Sequence, residues 1–585
     1  MARFAVWAPE ARQGVELLVE GGSPVATKAG TGGWYLLETP EAAGDGPGGT
    51  AGIEYRFIVD GSEPLADPRS AWQPAGIDGP SRVLDPQTLA WTDDGWRGVT
   101  MSWLSGGAIY ELHVGTFTPE GTFESAIERL DQLVELGVRA IEIMPVAEGS
   151  GDRGWGYDGV FLFAPHHAYG GPHGLNALVD ACHARGLGVI LDVVYNHLGP
   201  SGNVLGRYGP HFTDRYATPW GSAVNLDGAG SDEVRQFFID NACMWLADYH
   251  IDGLRLDAIH AFVDLSATHF LAQLAEAVGA LAGTLGRQLV LIAESDLNDP
   301  RVVRPAQLGG YGFDGVWSED FHHSLHALLT GERSGYYQDF GSLADVAACL
   351  QRAAVYDGRY SVYRRRRHGA PAGDLPGRRF VGFGQNHDQV GNRAMGERSA
   401  ALMSPGRLKI AAALILTAPF VPMLFQGEEW AASTPFLYFT NHADPELGRA
   451  VTAGRRREFA AFGWDPGQIP DPQDPATFER SKLIWAERDD PVHAGVLGWY
   501  RSLLALRRRC PDLRADRLDR VGVSYDEAAG WIRVVRGSIE LVANLSGSGL
   551  RLEAAGDLVL ASEPGVAIGE GGLELPTESV ALLAR

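Results

Sequence analysis

The chain has 585 residues and a formal charge of −24, from 49 Lys and Arg against 73 Asp and Glu. That acidity excludes a protein that tracks nucleic-acid phosphates or an anionic lipid surface, because both would repel it. An apolar share of 45% with 21% charged residues excludes wholesale disorder, and 75 Gly with 33 Pro in no fixed period point to many turns, not a collagen-like repeat.

Cys182, Cys243, Cys349 and Cys510 lie far apart and form no CxxC pair, so neither a disulfide framework nor a zinc finger is expected and a reducing cytoplasm fits best. The N-terminus lacks the continuous apolar core of a signal peptide. The longest apolar stretch, Ala411 to Phe425, contains Pro419 and Pro422 and is too short to span a bilayer. The expectation is a soluble cytoplasmic protein with no nucleic-acid or membrane partner.

Residues 1–99 read as short strands punctuated by Gly and Pro: Phe4–Trp7, Val15–Val19, Trp34–Leu37 and Tyr55–Val59, with the turn Asp60-Gly61. That pattern predicts an N-terminal β-sandwich, followed by irregular chain from Asp67 to Asp85. Over residues 100–515 apolar strands alternate with amphipathic helices. The strand candidates are Ile109–Phe117, Val138–Val146, Gly188–His197, Ile251–Ile259, Leu289–Ser295, Phe313–Asp320, Phe380–Asp388 and Pro422–Trp430. Helical spacing is clear in Glu124–Leu136 and in Asp232–Tyr249, with Ser231 placed as an N-cap. Eight such units predict an α/β fold built on a (β/α)₈ TIM barrel. A Gly- and Pro-rich excursion near 198–230 would sit over the barrel mouth. After the helical run His493–Arg509, residues 516–585 return to strands and predict a C-terminal β domain. The basic run Arg364–Arg367 reads as a solvated loop in acidic surroundings.

Barrel enzymes carry their reactive side chains at the C-terminal ends of strands. Those ends collect Asp192 and His197, Arg255 and Asp257, Glu294, and His387 with Asp388. Any one alone has a bland reading, such as a buried Asp192–Arg255 ion pair or a solvated Glu294. Converging on one face, they have the makings of a glycoside-hydrolase site, in which one carboxylate attacks and a second carboxyl protonates and deprotonates. His166-His167 and His322-His323-x-x-His326 could bind zinc, but they lack an order of His and carboxylate ligands at strand ends. Packing or sugar binding is the expected role, with no metal and no cofactor.

Asp192-Val-Val-Tyr-Asn-His197, Gly253-Leu-Arg-Leu-Asp257, Glu294 in Ile292-Ala-Glu-Ser, and Gln385-Asn-His-Asp388 resemble, in order, the four regions of the α-amylase superfamily. The resemblance implies Asp257 as nucleophile, Glu294 as general acid/base and Asp388 as transition-state stabiliser. It implies that Arg255 orients Asp257 and that Asp192 plays a supporting part. His197 and His387 would contact the sugar in subsite −1, Tyr157 would stack on it, and Asp158 would accompany Tyr157. Asn196 stands where many amylases have a calcium ligand, but no complete oxygen set can be assigned.

Further motifs narrow the resemblance to the maltooligosyltrehalose trehalohydrolases. They are Asp257-Ala-Ile-His260, Ala293-Glu-Ser-Asp-Leu-Asn298, Gly312-Phe-Asp-Gly-Val-Trp317 with Asp320-Phe-His-His323, Asn386–Arg393, Gln426–Trp430 and Gly454–Phe459. The implied reaction is hydrolysis of the α-1,4 bond next to the terminal trehalose of maltooligosyltrehalose, downstream of an enzyme that forms that substrate. Trp317, Asp320, Phe321 and His322 are the candidates for the plus subsites, with packing at the barrel rim as their alternative. A glycogen branching enzyme or another amylase-type enzyme would use the same carboxylates.

Overall fold

A computed structural model of the protein describes residues 2–39, 52–218, 221–460, 465, 467–554 and 556–585. Eight parallel strands close a barrel: β1 (Ala108–Leu112), β2 (Val138–Ile143), β3 (Gly188–Val193), β4 (Gly253–Leu256), β5 (Val290–Ala293), β6 (Gly315–Trp317), β7 (Phe380–Phe383) and β8 (Val421–Phe425). They pair in chain order, and β8 beside β1 completes the ring. These runs are apolar on both faces because helices cover the outside while Ile109, Ile190, Ile292, Trp317, Val381 and Met423 fill the inside. Met101 and Leu104, from the short helix Met101–Leu104, join this interior cluster.

All eight expected strands are present, and each stops two to five residues short of the C-terminal end of its expected range. After β1, for example, Val114–Phe117 is a helical turn, and β6 gives way to a helix at Glu319. Within a few residues of these stops the chain turns away at the C-terminal rim, carrying side chains such as Asp257 and Glu294 to the cleft. Two helix expectations change in detail. The run through 124–136 breaks into Phe123–Ile127 and Leu130–Leu136, and Ser231 is the first helical residue, preceded by Gly230 in the left-handed conformation with φ 79°.

At the N-terminus, Ala2–Trp7 pairs with Trp34–Thr39, and Val15–Val19 pairs with Glu54–Val59, giving two small antiparallel sheets. Phe4, Val6, Val15, Leu17 and Phe57 form their shared core. The excursion after β3 docks this unit onto the barrel: Tyr208, 1% exposed, fills the same core and donates to the Ala66 carbonyl at 2.9 Å. Arg69 adds an ion pair at 2.7 Å to Asp240 on the barrel helix Ser231–Ala247. At the other end, Trp531–Arg536, Ile539–Asn544, Ser579–Ala584 and Asp557–Ala561 belong to a five-stranded sheet. A buried arginine of the sheet, Arg536, fixes it to the barrel by donating to the Thr417 carbonyl. Beside it Arg507, on the last barrel helix Pro491–Arg509, donates to the carbonyls of Ser105, Leu416, Ala418 and Phe420 at 2.7–3.1 Å. Among the described residues no helix is long and apolar enough to cross a membrane.

The docking role of Tyr208 sets a measurable cost. Tyr208→Ala removes a buried aromatic and should destabilise the fold by about 3–5 kcal/mol. Tyr208→Phe loses only the hydrogen bond, about 1 kcal/mol. Urea unfolding of the two variants side by side checks the difference.

Candidate active site

The C-terminal rim of the barrel is organised by one guanidinium. Arg255, on β4, is fully buried and lies over the Trp317 ring at 4.1 Å. Its Nη1 donates to Asp192 Oδ2 at 2.5 Å and to Asp257 Oδ1 at 3.1 Å, and its Nη2 donates to Glu294 Oε2 at 2.8 Å. The strands impose this arrangement: β3, β4 and β5 are neighbours, with Asp192 paired to Arg255 and Arg255 to Ile292 in the parallel register. Burial pushes the carboxyls of Asp192, Asp257 and Glu294 upward, and Arg255 opposes that rise in each. Burial also works against the charge on Arg255, but the surrounding carboxylates more than reverse it and hold the guanidinium protonated.

Asp257 and Glu294 are joined a second time through the backbone. Ala258 takes the left-handed conformation, φ 41° and ψ 52°, which is costly for a residue with a Cβ. In that conformation its N–H donates to Glu294 Oε2 at 2.7 Å. Asn196 Nδ2 donates to Asp257 Oδ2 at 2.7 Å and to the Asp257 carbonyl at 3.0 Å, while its Oδ1 meets His197 Nδ1 at 2.5 Å. Both ends of that amide are therefore engaged inside the site. His197 Nε2 lies 3.0 Å from the Tyr157 carbonyl.

A second chain of hydrogen bonds enters from β1, where sequence reading found nothing. Glu111 lies 2.6 Å from His387 Nδ1 and also accepts from the His387 N–H at 3.0 Å. His387 Nε2 meets the Tyr157 hydroxyl at 2.8 Å, and that hydroxyl donates to Asp192 Oδ2 at 2.6 Å. The tyrosine proton being committed to Asp192, both imidazole nitrogens act as donors, so His387 is an imidazolium. Burial alone would lower its pKa, but the Glu111 carboxylate raises it to about 9. Glu142 on β2 lies buried nearby with neither oxygen hydrogen-bonded. Burial and the charge of Glu111 lift its carboxyl well above the usual range, so it sits there as a neutral acid.

Asp388 is the second residue of a short helix after β7, His387–Gly391, whose N-cap is Asn386, and its side chain is 42% exposed against 12% for Asp257 and 15% for Glu294. Burial raises its carboxyl, with His387 opposing. Tyr157 stacks on His387 with centroids 5.2 Å apart, Asp158 lies 3.9 Å from His442, and His260 is exposed beside Glu294. The structure thus brings Tyr157, Asp192, His197, Arg255, Asp257, His260, Glu294, His387 and Asp388 to one rim.

It does not bring the four plus-side candidates there. Trp317 is the buried platform beneath Arg255. Asp320 is buried and accepts from the N–H groups of Val355 and Tyr356 at 2.8 and 2.7 Å. Phe321 packs edge-on against Phe420 in the core, and His322 is bonded to the Gly384 carbonyl and to Tyr337. What faces the cleft from this segment is Glu319, which sequence reading passed over. Elsewhere, Glu148, His166 and His167 have donor atoms within 4.8 Å of one another. Glu148 is already bound by the ring and the backbone N–H of His167, and His166 Nδ1 accepts from Ala168, which puts the proton of a neutral His166 on Nε2. His166 Nε2 lies 3.8 Å from Glu148 Oε1.

The Glu111–His387 pair generates a pH signature. Because the folded pKa of His387 is raised from 6.5 to about 9, its stabilisation is full below about pH 6.5 and is lost as pH rises through 9. The Tm gap between the parent protein and Glu111→Gln, followed by calorimetry across this range, should be largest at the acid end and close at the alkaline end.

Comparison with known proteins accords with this geometry. Residues 86–207 match the family described as alpha amylase, catalytic domain. A malto-oligosyltrehalose trehalohydrolase of Arthrobacter ramosus is 51% identical over 583 residues, covering 99% of both chains. The protein of the same name from Rhizobium sp. strain M-11 is 48% identical and covers 99% of this chain and 97% of its own. A solved structure from Salmonella typhimurium superposes with a TM-score of 0.89 at 38% identity, over 100% of this chain and 97% of that one. With identity of this order along its whole length, the chain belongs to the malto-oligosyltrehalose trehalohydrolase family, within the α-amylase superfamily of glycoside hydrolases.

Proposed function

We propose that the chain hydrolyses the α-1,4-glucosidic bond between a maltooligosaccharide and its terminal trehalose, releasing trehalose, with Asp257 as nucleophile, Glu294 as acid/base and Asp388 as transition-state stabiliser. The substrate follows from the near full-length kinship with proteins named for that reaction. The observation that carries the roles is how unlike the two bridged carboxyls are in their partners. Asp257 receives an N–H on each oxygen, from Arg255 and from Asn196, which suits an ionised, acceptor-only group. Glu294 receives both of its N–H donors on Oε2. Its Oε1 is left to carry a proton, and burial favours that protonated form.

The steps follow from those states. Asp257 attacks the anomeric carbon from one face while Glu294 Oε1–H protonates the departing trehalose oxygen. The emptied Glu294 then takes a proton from water, which releases the maltooligosaccharide with retained configuration. Asp388, the most accessible of the three, is placed to bind sugar hydroxyls as charge develops at the ring. Tyr157 offers a stacking face for the sugar in subsite −1, with Asp158, His197, His260 and the His387 imidazolium as hydrogen-bonding groups around it. Asp192 acts by holding Arg255 and Tyr157 in place. The enzyme serves trehalose biosynthesis after another enzyme has formed the α,α-1,1 linkage, and a cytoplasmic setting suits its free thiols.

Products from maltooligosyltrehalose and from a plain maltooligosaccharide of equal length, run side by side by chromatography, test the reading. Rapid trehalose release from the first with slow cleavage of the second is expected. Rearrangement of the plain glucan with no trehalose from the first would overturn it. Glu294→Gln should lower kcat by about 10²–10⁴-fold with little change in KM. Proton NMR of the fresh product should show the α-anomer.

A further inference from the structure

Glu319 is a carboxyl group that none of these roles uses. It is the first residue of the helix Glu319–Thr330, which begins directly after β6. In the ring of strands β6 lies between β5, which leads to Glu294, and β7, which leads to Asp388. The side chain is 12% exposed, as little as that of Asp257. Its Oε2 accepts from Gln389 Nε2 at 2.8 Å and lies 3.8 Å from His323 Nε2, and its Oε1 has no hydrogen-bond partner among the described residues.

Among the described residues no cation pairs with it. His323 is itself buried and held neutral, its pKa lowered to about 3 by desolvation and by His326. The charged groups that act most on Glu319 are the carboxyls of Glu294, Asp388 and Asp296 and, opposing them, Arg255, which is already bonded to three other carboxyls. Burial above all lifts the Glu319 carboxyl well above its ordinary value, so Glu319, like Glu294, is neutral. A neutral carboxyl with one bonded and one free oxygen is a hydrogen-bond donor and acceptor presented to the cleft. Position gives it a direction. Tyr157 comes from the connection after β2, half-way round the barrel from β6, so a glucan whose −1 sugar lies on Tyr157 crosses toward Glu319 beyond the bond that Glu294 protonates.

We propose that Glu319 is a further substrate-binding residue, a neutral carboxylic acid that hydrogen-bonds the first sugar of the leaving trehalose. The inference rests on the assignment of Asp257, Glu294 and Asp388 made under Proposed function. Two substrates separate the roles. Maltooligosyltrehalose needs the plus side, whereas α-maltosyl fluoride loses fluoride and places no sugar there. Glu319→Leu should lower kcat/KM for maltooligosyltrehalose by about 10–100-fold, the value of one buried hydrogen bond, and leave fluoride release within about threefold of the parent. Glu319→Gln, neutral and able to donate, should stay within about threefold on both substrates. An equal loss on both substrates in Glu319→Leu would overturn the proposal, because the residue would then be acting through the catalytic carboxyls or the fold. So would no loss on either substrate. A loss in Glu319→Gln as large as in Glu319→Leu would also overturn it, since an ionised carboxylate would then be the working form. Asp257→Asn, run alongside, should abolish both reactions; if it did not, the failure would lie with the catalytic assignment and not with Glu319.

Discussion

The rim of this barrel depends on how many acids one buried arginine can hold. Arg255 bonds Asp192, Asp257 and Glu294 at once, and its plane is fixed by the Trp317 ring beneath it. The other buried cation at the rim is His387, and its charge is already matched by Glu111. Asp388 has His387 at 4.0 Å, shared with Glu111, whereas Glu142 and Glu319 form no ion pair with a cation among the described residues. Taking every one of these groups out of water in ionised form would be prohibitive, so some of them keep their protons. A glycosidase needs such a mixture. Two chemically similar carboxyls must differ in protonation, and the shortage of cations supplies the difference.

Much of this was legible in the sequence, for a physical reason. Strands buried on both faces are uninterrupted apolar runs, so all eight barrel strands stood out, and the polar residues at their ends were conspicuous against that background. The same property hid Glu111 and Glu142. Each is a single carboxyl flanked by apolar residues, Tyr110 and Leu112 or Ile141 and Ile143, and reads as the solvent-facing position of an alternating strand. The available signal was that a parallel barrel strand has no solvent-facing side, so a charge in its middle must point into the barrel.

The choice between packing and substrate contact in the plus-side segment was closed to the sequence for a different reason. Reading Phe313–Asp320 as one extended run gives its residues alternating faces, whereas the chain turns helical at Glu319. From there each residue rotates by about 100° instead of 180°, which aims Glu319 at the cleft and carries Phe321 and His322 into the core. The onset of a helix within one or two residues decides which side chains reach a ligand, and propensity does not resolve that boundary. The N-cap before Ser231 shifted by one position in the same way, because Gly230 supplies the left-handed turn.

The left-handed Ala258 has a mechanical consequence. One peptide unit carries the Asp257 side chain at one end and, through the Ala258 N–H, grips Glu294 at the other. The two carboxyls are thus linked by a single rigid plate, which β4 and β5 anchor from below through the bonds from Glu294 to Leu256 and from Ile259 to Glu294. A breathing motion of the surrounding loops translates both acids together and leaves the spacing between them unchanged. The connection after β6 can consequently be rebuilt for a different leaving sugar without recalibrating the gap across which bond cleavage takes place.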